Sequence, residues 1–131
     1  MQRRKHLRGA RVLLVEDAQD IRDVFTLLLA AEGAEVTATG SGREAVELAA
    51  QQDFDVLLTD LGLPDIPGDM VIRHVVATAR RRPWVVVVTG YDEPCISRAR
   101  QAGADVVLTK PLAWSALLDR LPPASAAPVA A

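Results

Sequence analysis

Four short apolar runs, at residues 12–15, 56–58, 85–88 and 106–108, recur along the chain with wide gaps between them. Each is too short for a helix, is rich in valine and leucine, and shows no alternation with polar residues, so each reads as a strand buried on both faces. A fifth strand, at 34–38, is weaker: Val36 lies between Glu35 and Thr37, an alternation suited to a sheet edge. The gaps are of helical length. The first, about 18–31, sets Ile21, Val24, Phe25, Leu28 and Leu29 on one stripe and stops at Gly33. The second opens at Ser41 with Glu44 three residues on, the pattern of a capping box, and carries Ala45, Val46, Leu48 and Ala49. The third covers about 69–80 before Pro83, the fourth about 93–102 before Gly103, and the fifth about 112–121 before Pro122 and Pro123.

Five strand-then-helix repeats impose parallel pairing through right-handed crossovers, with helices on both faces. The expected fold is therefore an α/β domain, a five-stranded parallel sheet wound doubly. Of the 131 residues, 50% are hydrophobic, enough to bury one core without disulfides or a structural metal. The chain divides into a basic arm at 1–10, a domain at 11–121 and a flexible Pro/Ala tail at 122–131, and the arm reads as a solvated, frayed segment. A net charge of −2 gives no general attraction to nucleic acid or anionic membrane. Cys95 is the only cysteine, which fits a reducing, cytoplasmic setting, and no run approaches the ~20 apolar residues of a membrane helix.

Ligands of doubly wound sheets bind at the carboxyl ends of the strands. The residues found there are Glu16 and Asp17 after the first strand, Asp60 after the third, Thr89 and Gly90 after the fourth, and Lys110 and Pro111 after the fifth. Three carboxylates gathered without a cation raise one another's pKa values, so the set calls for a hard, oxygen-seeking ion, and Mg²⁺ fits best because it takes few carboxylates and bridges to phosphate. One nucleophile, one hydroxyl and one ammonium complete what phosphoryl transfer to a carboxylate needs: Asp60 attacks, Lys110 offsets charge on the phosphoryl oxygens, and Thr89 hydrogen-bonds one of them.

These residues resemble the response-regulator receiver domain of two-component signalling, which has a flavodoxin-like (βα)5 fold. The resemblance rests on Leu-Val-Glu16-Asp17, on Leu-Leu-Thr-Asp60-Leu-Gly-Leu-Pro64, on Gly68 opening the third helix, on Val-Thr89-Gly90 and on Thr-Lys110-Pro111. It implies that Asp60 is the phosphoacceptor, with Lys110 and Thr89 as its catalytic companions. It further implies that Glu16, Asp17, Asp60 and the main-chain carbonyl of Gly62 hold Mg²⁺, and that the Lys110–Pro111 bond is cis. The implied partners are a sensor histidine kinase or histidine phosphotransfer protein upstream, and a downstream protein met by the face of helix 4, strand 5 and helix 5. Direct contact with nucleic acid or membrane is not implied, and the only catalysis expected is of the domain's own phosphorylation and dephosphorylation.

Taken alone, Glu16-Asp17 could be an acidic pair at a helix N-terminus, and His74, Trp84 and Trp114 read as helix-surface and packing residues. The arginines at 80–82 read as a basic helix end. A nucleotide-binding fold would place a glycine-rich turn where Glu16-Asp17-Ala18 stands, and an aspartate-nucleophile phosphatase would need a second carboxylate where Gly62 is. A receiver that had become a passive binding module would have lost the acceptor, an acid or the lysine. The chain departs from the family at Val107, where most receivers carry an aromatic ring that couples the site to the output face. Gly62 and Tyr91 stand at the two positions that govern water's access to the acyl phosphate.

Overall fold

The computed structural model describes residues 6–122. Its elements alternate throughout: β1 (Arg11–Val15), α1 (Gln19–Ala31), β2 (Glu35–Thr39), α2 (Gly42–Gln51), β3 (Val56–Thr59), α3 (Gly68–Thr78), β4 (Trp84–Thr89), α4 (Cys95–Ala102), β5 (Val106–Thr109) and α5 (Trp114–Asp119). The strands form one parallel sheet in the order β2-β1-β3-β4-β5. Strand order reverses between β1 and β3, where the register pairs Val15 with Thr59. The crevice outside those two strand ends is the place such a sheet offers a ligand.

Successive strand residues point to opposite faces, which divides the core into two layers. Val12, Leu14, Val56, Leu58, Val86, Val88 and Val106 pack with Leu29 of α1 and Leu117 and Leu118 of α5. Leu13, Val15, Leu57, Val85 and Val87 pack on the other face with Ala45 and Ala49 of α2, Val71, Ile72 and Val75 of α3, and Ala99 and Ala102 of α4. The long apolar runs of β1, β3 and β4 are thus explained by two-sided burial, and the alternation of β2 by its place at the edge. Among the described residues no helix is long and apolar enough to cross a membrane.

Several boundaries differ from the sequence expectation. β2 lies one residue later than 34–38, and only half of the α2 capping box forms in the expected sense, with Glu44 N donating to Ser41 Oγ at 3.1 Å. α3 stops at Thr78, and the arginines beyond it do not serve as a basic helix end. Arg80 pairs with Asp53 at 3.7 Å, Arg81 with Asp55, and Arg82 with Asp105 at 2.9 Å, so each clasps a carboxylate near the start of a strand. α4 begins at Cys95 rather than residue 93, because Glu93 acts as an acceptor for Ser97 N at 2.8 Å instead of joining the helix.

The N-terminal arm departs most from expectation. Residues 6–10 do not fray: Leu7 is fully buried in the α1/α5 layer, and its N–H donates to Glu32 O at 2.9 Å, while Gly9 N donates to Gly33 O at 3.0 Å. The ring nitrogen His6 Nε2 lies 2.9 Å from Leu121 O. One buried leucine in a basic, otherwise polar segment carries no periodicity, which is why pattern reading passed over it. Residues 1–5 and the Pro/Ala tail beyond 122 lie outside the described residues.

Candidate functional site

The carboxyl ends of β1, β3, β4 and β5 deliver the expected residues to one edge of the sheet. β1 is followed by Glu16, which is 96% buried and whose main chain continues the ladder, Glu16 N donating to Thr39 O at 3.0 Å. Its Oε2 accepts from Ala18 N at 3.2 Å, which turns the carboxylate back over the first turn of α1. Burial pushes the Glu16 carboxyl above the usual range, the Ala18 N–H and the Lys110 charge pull it down, and the neighbouring Asp60 and Asp17 push it up again, for a net rise. Asp17 stands exposed at the mouth of the crevice.

Asp60 follows β3. Its Oδ1 accepts two main-chain N–H bonds, from Leu61 at 2.6 Å and Gly62 at 3.3 Å, so that the side chain is folded against its own loop. Its Oδ2 faces Lys110 Nζ at 3.0 Å, and the same ammonium reaches Glu16 Oε1 at 3.4 Å. Burial lowers the tendency of Lys110 to hold its proton, but the hydrogen bond and charge of Asp60, followed by those of Glu16, outweigh it and hold the ammonium above its usual value. The Lys110–Pro111 bond is cis, as is Glu93–Pro94, which the sequence reading did not anticipate. Three strands separated in sequence therefore contribute to one ion-pair network. The cleft beneath it is lined by Leu14, Glu16, Phe25, Leu58, Asp60 and Val88.

Thr89, at the end of β4, is completely buried, and its Oγ1 accepts from Tyr91 N at 3.1 Å. That bond helps set the turn after β4, and the Tyr91 ring crosses to the acceptor loop. A Cβ at Gly62 would lie 2.7 Å from Tyr91 Oη, so the missing side chain is the space the phenol occupies. Gly68, at the opening of α3, has a similar role: a Cβ there would collide with the main-chain carbonyl of Asp60, and Gly68 N instead donates to Leu61 O at 2.9 Å. Val107 is half-buried on β5 and packs with the α2/α3/α4 layer. His74 is exposed on α3, and Trp84 Nε1 donates to Arg120 O at 3.0 Å.

Two residues that sequence reasoning left aside hold this edge together. Asp65 caps the neighbouring helix α2, accepting from Ser41 Oγ at 2.8 Å, Gly42 N at 2.9 Å and Arg43 N at 2.9 Å. Those donors hold its carboxyl well below the usual carboxylate range. Arg22, on α1, donates from Nη1 to Glu16 O at 2.8 Å and to Asp17 O at 3.4 Å. Both contacts join segments distant in sequence or run backwards along a helix, so no short motif announces them.

The donors at this edge are hard oxygens: three carboxylates and the loop carbonyls beside Asp60. Among the described residues no three acidic, histidine or cysteine side chains close a metal cage by themselves. A Mg²⁺ ion suits such an open set, since it keeps several waters and binds through one or two carboxylates.

A parallel doubly wound sheet whose crevice joins an acidic pair, a strand-end aspartate, a buried threonine and a lysine is a phosphoacceptor-type switch domain rather than a nucleotide-binding one. The chain belongs to the response regulator receiver domain family, whose model matches residues 12–122, and it is thereby a receiver domain of two-component signalling. Among its relatives is the cell cycle response regulator CtrA of Brucella ovis, 33% identical over 113 residues, which are 85% of this chain and 48% of the relative. The chain thus spans about half the length of the curated relatives it matches. Among solved structures it is similar to a CheY-like receiver domain protein from Methanospirillum hungatei JF-1, with a TM-score of 0.81 at 28% identity, covering 86% of this chain and 90% of that one. It is also similar to the receiver domain of a sensor histidine kinase from Pseudomonas aeruginosa PAO1, with a TM-score of 0.75 at 30% identity, covering 86% and 97%. That structure has a magnesium ion coordinated in its active-site cleft.

Proposed function

We propose that Asp60 accepts a phosphoryl group from a phosphohistidine of a partner kinase or phosphotransfer protein. The observation that carries this reading is the Lys110 ammonium held between Asp60 and Glu16, at the ends of three different strands. Asp60 Oδ1 is engaged by two main-chain N–H groups, whereas Oδ2, among the described residues, faces the long, rotatable Lys110 ammonium. Oδ2 is accordingly the attacking atom. As the Oδ2–P bond forms, the N–P bond to the donor imidazole breaks, and the imidazole leaves with the electron pair and takes up a proton. Lys110 then moves from the carboxylate to a phosphoryl oxygen, and the Thr89 hydroxyl supplies a hydrogen bond to another. Glu16, Asp17, Asp60 and the Gly62 carbonyl would hold Mg²⁺, which when bound offsets the negative charge that gathers on the phosphoryl oxygens.

The same groups catalyse the domain's own phosphorylation from small phosphodonors and its later hydrolysis, with no separate substrate turned over. The signal passes to a protein partner through α4, β5 and α5, in the cytoplasm and without direct nucleic-acid or membrane contact. Val107 is stiff about its one side-chain torsion and has no ring to swing, so phosphorylation alters that face less than it alters the site. Amide exchange before and after phosphorylation checks this: changes at 95–109 as large as those at 60–62 refute it.

Incubation with Mg²⁺ and acetyl phosphate, followed by intact-mass measurement, tests the central reading. The expected result is a gain of one phosphate in the wild type and none in Asp60→Asn. No gain with any donor, including a phosphorylated histidine protein, would return the chain to the class of passive binding modules. The acceptor, acidic pair, threonine and lysine are all present, which favours the active form.

A further inference from the structure

The N-terminus of a helix favours negative charge, so a cation folded back onto it is electrostatically misplaced unless something local offsets it. Arg22 is such a cation. It lies in the first turns of α1, its own N–H donating to Ala18 O at 2.9 Å, yet its guanidinium turns back past the start of the helix. Its partners there are two consecutive main-chain carbonyls, Glu16 O at 2.8 Å and Asp17 O at 3.4 Å, and no carboxylate among the described residues. The path runs across Gly40, the residue after β2. A Cβ at Gly40 would stand 2.7 Å from Arg22 Nη1 and 3.6 Å from both Arg22 Cζ and Asp17 Cα. Gly40 does not have a positive φ, so the backbone conformation does not call for glycine there; what a side chain at that position would do is displace the end of Arg22.

We propose that Arg22 and the slot left by Gly40 position the acidic pair for its divalent cation, Arg22 acting as a positioning residue that never touches the ion. The inference rests on the reading of Glu16 and Asp17 as metal ligands. Fixing the carbonyls of residues 16 and 17 fixes both peptide planes after β1, and with them the direction in which the Asp17 carboxylate leaves the chain. Both bonds come from Nη1, whose N–H directions are fixed by the planar guanidinium; a lysine ammonium, on a shorter stem and free to rotate, would not set the two carbonyls in one direction.

The test is a Mg²⁺ titration of the full chain followed by NMR at the amides of residues 16–18 and 60–62, with thermal melting in the absence of Mg²⁺. Arg22→Gln and Gly40→Ala should each weaken Mg²⁺ binding about tenfold, as loss of an outer-shell support does. Their double variant should be no weaker than the worse single one, because both remove the same contact. Arg22→Lys should fall between wild type and Arg22→Gln. Full recovery in Arg22→Lys, or unchanged affinity in Gly40→Ala, would reduce Arg22 to a nearby charge and overturn the proposal. So would affinity losses that merely track losses in melting temperature. A wild type that binds no Mg²⁺ overturns the metal reading itself, and the positioning role with it; a wild type that binds, beside an Arg22→Gln variant that binds equally, overturns the positioning role alone.

Discussion

Glu16 is buried, and its carboxyl is raised chiefly by that burial, so ionising it is harder in the folded chain than in the unfolded one. The sign follows: without metal, the folded state gains stability as pH falls from neutral through the raised value toward the ordinary 4.5, and forfeits it on the way back up. Urea midpoints between neutral pH and about pH 5 should show that rise in the wild type and a flatter profile in Glu16→Gln. An equally steep profile in the variant would assign the rise elsewhere. Tyr91 and Gly62 make a second residue-scale case. Because the phenol occupies the place of a side chain, Gly62→Ala should shift the Tyr91 ring away from the acceptor loop. Gly62→Ala and Tyr91→Ala should therefore speed loss of the phosphate by similar factors, with the double variant no faster than either, as followed by intact mass over time.

The elements themselves were mostly legible, and the misses have physical causes. The strands of the sheet interior could be read because two-sided burial leaves uninterrupted valine and leucine, and the site residues could be read because each directly follows such a run. The bonds between elements could not. Arg80, Arg81 and Arg82 looked like a dipole-complementing helix end, whereas their partners Asp53, Asp55 and Asp105 lie more than twenty residues away, and only the fold brings them close. Asp65 is the same kind of miss, a cap supplied to α2 from the loop that carries Asp60. Asp65→Ala should lower stability at neutral pH and loosen amide protection at the start of α2. Since the donors depress the Asp65 carboxyl, the cap is fully present above the ordinary value of 3.8 and fades as pH falls below it, so the gap between variant and wild type should close in strong acid. A gap independent of pH would point to lost packing instead.

At the scale of the molecule, the sheet has a working edge and a supporting edge. The working edge collects the carboxylates and Lys110; the supporting edge collects the arginine clasps, Trp84 on Arg120, and the segment at residues 6–10. Leu7 is completely buried in that segment, and truncating it leaves a hole between α1 and α5. Leu7→Ala should cost about 2–5 kcal/mol by denaturant unfolding, the range for a buried leucine. A cost near zero would show that the segment merely rests on the surface.

The contact of His6 with Leu121 at 2.9 Å also brings the entrance and exit of the folded unit side by side, away from the crevice. A domain with adjoining ends behaves as a cassette. It can be spliced into a surface loop of another protein with short connectors at both seams, leaving the approach to Asp60 unobstructed.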